Sequence, residues 1–205
     1  MEREIVDKTV KDIKRSFREV MNGVTAQSMR DKGTHYKINW GASLQHLREM
    51  ATEYGKDYDL AIALWKEPIR ECKVLATLIM PAEKLLPEVA DIWMEQTETQ
   101  EVAELLALNL FQHVAFAPQM AYKYIASGKA LYEICGFHVL SRLFAAGHTP
   151  DERRVCEFLD QAETALCGDD GAVRHAAYNC LVRFADNGEG YEALANKVLR
   201  AAQLL

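Results

Sequence analysis

The sequence predicts an all-α chain of helical hairpins stacked as a curved superhelical solenoid. Three observations carry that prediction: apolar residues recur at spacings of three and four along the chain, no segment alternates as a half-buried strand would, and similar short motifs return at hairpin-length intervals. The 205 residues are 49% hydrophobic and 26% charged, with 5 Pro and 11 Gly, which excludes disordered and collagen-like classes and suits one sizeable core. Residues 1–205 are therefore read as a single repeat domain, with 1–40 as an N-terminal helical cap.

In the first segment Val6, Val10, Ile13, Phe17 and Val20 form an apolar stripe, and Lys8, Lys11, Arg15 and Arg18 follow the same rhythm on another face. Gly41-Ala42-Ser43 then gives an N-cap signal ahead of Leu44, Leu47, Met50, Ala51 and Tyr54, and Gly55 stops that helix. Asp57 is a second cap, leading into Leu60, Ala61, Leu64 and Trp65 before Pro68. Further helices are predicted over about 68–80, 83–96, 99–115, 118–127, 129–145, 150–166, 171–185 and 189–203. Leu47, Leu64, Leu75, Leu106, Phe137 and Leu181 are the expected core.

The segments beginning at Ile69, Val102, Leu131 and Val173 can be laid over one another, with starting positions stepping by 33, 29 and 42 residues. Spacing of that order, filled with small and branched apolar residues, fits HEAT-like hairpins, whose inner helices offer extended surfaces to partners. An irregular helical bundle fits the periodicity equally well.

A more specific resemblance lies in the stretch from Gly41 to Trp93. Gly41, Ser43, Leu47-Arg48 and Ala51, then Leu60-Ala61, Leu64-Trp65, Ile69-Arg70-Glu71, Leu75-Ala76, Leu78-Ile79, Pro81 and Trp93 resemble the AlkD-like branch of the DNA alkylation repair proteins, a HEAT-like family. The resemblance covers about 40–112 well and the remainder to 185 loosely. It implies DNA as partner, no cofactor, and removal of cationic alkylpurines such as 3-methyladenine or 7-methylguanine by cleavage of the N-glycosidic bond. In that chemistry a carboxylate stabilises an oxocarbenium-like sugar and positions water.

The family's Trp-Asp-x-x-Asp motif falls, counting back from Asn109-Leu110-Phe111, on Gln100, Glu101 and Glu104. Gln100 and Glu104 stand four apart and share a helix face. Glu104 keeps the acid's charge one methylene further out, and the aromatic wall is replaced by Gln100. The family's later basic residue falls on Ile134 and its later aromatic near Asn179, beside Tyr178. The resemblance thus implies a base-excision glycosylase with Glu104, Glu101 and Gln100 as the catalytic positions, and the replaced motif residues lead to the expectation of weak or absent excision. An alternative makes Glu101 and Glu104 a solvated pair on an apolar helix.

Arg48, Arg70, Lys73, Arg142, Arg174 and Arg183 are the expected nucleic-acid contacts, since a solenoid turns their helices toward its groove. The alternative for each is a surface ion pair with a neighbour such as Glu71 or Glu49. Charge weighs against a basic domain: 24 Lys/Arg face 30 Asp/Glu, a net of -6. Residues 1–40 hold nine Lys/Arg against six Asp/Glu, leaving 15 against 24, and between 81 and 110 seven acids face Lys84 alone. A HEAT-repeat scaffold binding proteins without DNA is the competing class. Six scattered histidines without an HExxH pattern, and five cysteines without a CxxC, suggest neither metal nor disulfide framework. Cys72, Cys135 and Cys180 read as small core residues. No signal-peptide pattern or membrane span is visible, so a reducing cytoplasm is expected.

Overall fold

The computed structural model describes residues 2–204, and among these it contains α-helices, two short 3-10 turns and no strand. One isolated parallel bridge joins Ile38 to Ile69. The chain, read from sequence as one domain, groups into two compact units, Met1–Leu105 and Leu106–Leu205, and the division falls inside one helix.

The first unit holds α1 (Glu2–Ser16), α2 (Gly23–Asp31), α3 (Leu44–Tyr54), α4 (Tyr58–Trp65), α5 (Arg70–Ile79), α6 (Pro87–Glu95) and the start of α7 (Gln100–Asn109). The caps form where the sequence places them: Ser43 Oγ accepts from the His46 amide at 3.2 Å, and Asp57 Oδ1 from the Leu60 amide at 2.9 Å. The α1 face bearing Val10 and Ile13 is buried, as is Phe17 in the turn that follows, and α1 packs on α4 while α3 and α4 pack on α5. Trp65 and Trp93 stack face to face, with centroids 4.2 Å apart and planes 4° apart. Such a pair adds about 0.5–1.5 kcal/mol beyond its area burial.

Three expected boundaries shift, one of them in the helix predicted over 99–115, which ends at Asn109 and is followed by a 3-10 turn (Phe111–His113). The helix predicted over 83–96 becomes a 3-10 turn (Ala82–Lys84) followed by α6, because Pro87 lacks an amide hydrogen and holds Leu86 extended at φ -86°, ψ 149°. The N-terminal cap contains α2 as a separate helix, started by Asn22, whose side chain accepts from the Thr25 amide. The loop returning from α2 passes so close to it that a Cβ on Gly41, at φ +74°, would meet the Asn22 carbonyl oxygen at 2.2 Å.

The second unit continues α7 through a 3-10 turn (Phe111–His113) into α8 (Ala117–Ile125), α9 (Ala130–Ala145), α10 (Glu152–Cys167), α11 (Gly171–Ala185) and α12 (Glu189–Ala201). Helix α9 packs on α8 and α11, and α11 also packs on α10 and α12. The core includes a ring cluster in which Phe144, Phe158 and Phe184 lie 5.1–5.4 Å apart. All six residues expected in the core are buried. Cys72, Cys135 and Cys180 are buried free thiols, whereas Cys156 and Cys167 are exposed. No helix among the described residues is long and apolar enough to cross a membrane, and no group of three or more His, Cys, Asp or Glu there is arranged to hold a metal ion.

Candidate acidic site and nucleic-acid contacts

The first two turns of α7 carry the three residues aligned with the family motif, and their side chains separate. Gln100 and Glu104 share one face, as their spacing predicts, and the Gln100 amide donates to Glu104 Oε1 at 2.7 Å. Glu101 turns the other way, toward α5. Arg70 grips it with two bonds, Nη2 to Oε1 at 2.6 Å and Nε to Oε2 at 2.9 Å. The Tyr36 hydroxyl donates to the same carboxylate, and Thr99 Oγ1 donates to Tyr36 at 2.9 Å. The remaining Arg70 nitrogen donates to the Ala42 carbonyl at 2.9 Å and approaches Glu71 at 3.3 Å. Glu71, fully buried, accepts from the amides of Trp40 and Ala42, each at 3.2 Å.

This network corrects two readings of the sequence. Arg70 is 2% exposed and faces two carboxylates, so it is withdrawn from any phosphate. Glu101 is not half of a solvated pair with Glu104, because the Arg70 fork and the Tyr36 hydroxyl already use both its oxygens. Burial disfavours the charge on Glu101, but the hydrogen bonds and charge of Arg70, helped by Tyr36, more than compensate and hold the carboxyl below the ordinary Glu range. Burial and the Glu101 charge together push the Tyr36 phenol up, which keeps it a neutral donor.

Lys73 is a further correction. It is half-buried, its ammonium donates to the Trp65 carbonyl at the end of α4, and it lies 4.3 Å from the Trp65 ring centroid. That contact satisfies a carbonyl left open by the end of the helix. Burial lowers the Lys73 pKa against the opposing pull of Glu98. Beside it opens a cavity of about 420 Å³ lined by Tyr36, Lys37, Trp65, Glu98 and Thr99 among others.

The other four expected contacts lie on the surface. Arg48, Arg142 and Arg174 are exposed, and Arg183 is exposed with a 3.1 Å pair to Asp186. Ile134, where the family's basic residue falls, is buried at 2% exposure. Asn179 bonds His175 at 3.0 Å, and Tyr178 is 43% exposed. The sequence reading missed Tyr36, Thr99 and the backbone of 40–42 as partners of the acidic site. No local spacing could reveal contacts spanning up to 65 residues. The one legible clue was Arg70-Glu71 opening an otherwise apolar helix.

Glu104 is the one motif acid on the solvent face, able to position water, and neither neighbour in the motif supplies an aromatic ring. Residues 13–129 match the model of a family described as DNA alkylation repair enzyme. A solved structure superposes on the chain with a TM-score of 0.81 at 17% identity, over 95% of this chain and 82% of that one. It is described as a new family of proteins related to the HEAT-like repeat DNA glycosylases with affinity for branched DNA structures. The fold is thus that of HEAT-like repeat proteins. Among curated proteins none matches.

Proposed function

Because the chain belongs to the DNA alkylation repair enzyme family, we propose that it binds DNA, duplex or branched, through exposed cations, and that its excision of alkylpurines is weak or absent. The observation that carries this reading is the separation of the motif on α7. Glu101 is held by Arg70, and Glu104 stands beside an amide where the family motif has an aromatic ring. An aromatic face contributes about 0.5–2 kcal/mol toward a cation. Its absence at Gln100, with apolar Ile134 where the basic group falls, leaves Glu104 as the one motif acid to meet the oxocarbenium-like charge, and loss of several kcal/mol removes powers of ten in rate.

Arg48, Arg142, Arg174 and Arg183 are the cations assigned to the phosphate backbone. The relative described as binding branched DNA supports the choice of ligand. Contacts of that kind release counterions, so affinity falls steeply with salt and carries little base preference.

The test pairs binding with chemistry. Fluorescence anisotropy against duplex, four-way branched and alkylated DNA is expected to show salt-sensitive binding, and release of methylated bases from alkylated duplex is expected to stay near background. Robust release abolished by Glu104→Gln would restore a glycosylase. Absence of binding to every DNA would favour a protein-binding scaffold, the class that the net charge of -6 suits.

A further inference from the structure

The solvent face of α1 has no role in the reading above. Its apolar face is closed: Val10 is 6% exposed, Ile13 and Phe17 are fully buried, and the helix packs on α4. On the outer face Lys8, Lys11, Arg15 and Arg18 follow one another at steps of three and four, all exposed, the last in the turn after the helix ends at Ser16. From Lys8 to Arg18 the rise is about 15 Å, enough to run past about four phosphates of one strand at ~3.4 Å each.

The counterions on this face are weak. Among the described residues no carboxylate pairs with Lys8 or Lys11. Arg15 reaches Asp12 only at 3.8 Å, with both side chains more than half exposed, and Arg18 lies 5.9 Å over the Trp40 ring. Of the other acids, Asp7 shares the groove beside α4 with Lys11, with Lys14 and Lys66 and with Asp59 and Glu67, while Glu4 lies one turn before Lys8. Exposed pairs of the Arg15–Asp12 kind contribute at most about 1 kcal/mol and yield readily to a stronger anion. Beyond the buried stripe α1 exposes one large apolar side chain, Ile5, which is too little to seat a helix in a bilayer, so a row of cations is the main thing this face offers.

We propose that this face of α1 is a second nucleic-acid contact, gripping the DNA phosphate backbone through Lys8, Lys11 and Arg15, with Arg18 extending the row. The inference rests on the DNA-binding reading and adds to it a site separate from the exposed arginines of α3, α9 and α11. Such a site contributes affinity without sequence preference.

The variant K8Q/K11Q/R15Q removes three exposed charges and no packing. Its affinity for fluorescein-labelled duplex and four-way branched DNA is measured from 50 to 200 mM salt beside the wild type and K197Q/R200Q, a control that removes exposed cations from α12. Each phosphate that is no longer neutralised lowers the slope of log K against log salt by ~0.9, so the α1 variant is expected to fall by about 2–3 in slope, with a drop of tenfold or more in affinity at low salt. The control is expected to stay near wild type. An unchanged slope in the α1 variant while the wild type binds DNA overturns this inference and leaves the DNA-binding reading standing. So does an equal drop in the control, which would make the effect one of overall charge. If the wild type binds polyglutamate more tightly than DNA, and the α1 variant loses that binding, the face belongs to an acidic protein and the inference also falls. Failure of the wild type to bind any DNA removes both readings together.

Discussion

The two glutamates of α7 are one turn apart and do different work. Glu101 accepts from two nitrogens of a buried guanidinium whose third meets Glu71, so Glu101→Ala leaves Nε and Nη2 of Arg70 without those partners at 2% exposure. Breaking a buried pair on one side costs about 3–5 kcal/mol. Because Glu71 remains, the loss expected in a urea titration is about 2–4 kcal/mol, and Glu104→Gln, which keeps the side chain's size at a half-buried position, should cost less. Acid should show the same asymmetry. The folded Glu101 carboxyl sits below its unfolded value of about 4.3, so its contribution is present above that pH and disappears as pH falls through the folded value. A Glu101→Gln variant should therefore lose less stability than wild type between neutral pH and pH 3. Equal acid sensitivity of the two proteins would show that the Arg70 pair is not what holds this corner.

At the level of helices most boundaries were legible, because caps and periodicity are local. Ser43, Asp57 and Gly55 act where their residue types predict. Helix α2 was not singled out since it buries only Ala26 and shows no apolar stripe, and Pro87 split the predicted 83–96 helix in two. The acidic site was legible only in its i, i+4 half, Gln100 with Glu104. Its other half depends on partners brought in by tertiary packing, and the rule that charged residues stay outside fails where two carboxylates and a carbonyl surround one arginine. Helix crossings are equally invisible to local pattern. In α9 a Cβ on Gly136 would meet the Ile125 Cγ2 at 2.7 Å and the Ala121 carbonyl oxygen at 2.8 Å, so the backbones of α8 and α9 approach as closely as glycine permits. Gly→Ala inside a helix ordinarily stabilises by about 1 kcal/mol. Here the sign should reverse, because overpacking costs about 1–3 kcal/mol and one obstacle is backbone. A rise in thermal midpoint for Gly136→Ala would contradict the tight crossing.

Across the whole molecule both units are acidic: Met1–Leu105 carries 15 Lys/Arg against 19 Asp/Glu, and Leu106–Leu205 carries nine against 11. Any affinity for DNA must then come from where the cations stand, and it should vanish at salt concentrations a basic protein would tolerate. The same division bears on cooperativity. It falls within α7, one continuous helix whose residues are divided between the units, and a single transition is expected. The placement of the indoles makes that measurable without labels. All three tryptophans, Trp40 and the stacked Trp65 and Trp93, belong to the first unit, so intrinsic fluorescence excited at the red edge reports on that unit alone, whereas far-ultraviolet dichroism samples helices of both. Coincident denaturation curves from the two signals are expected. A dichroism step that precedes or follows the emission change would reveal the second unit unfolding on its own.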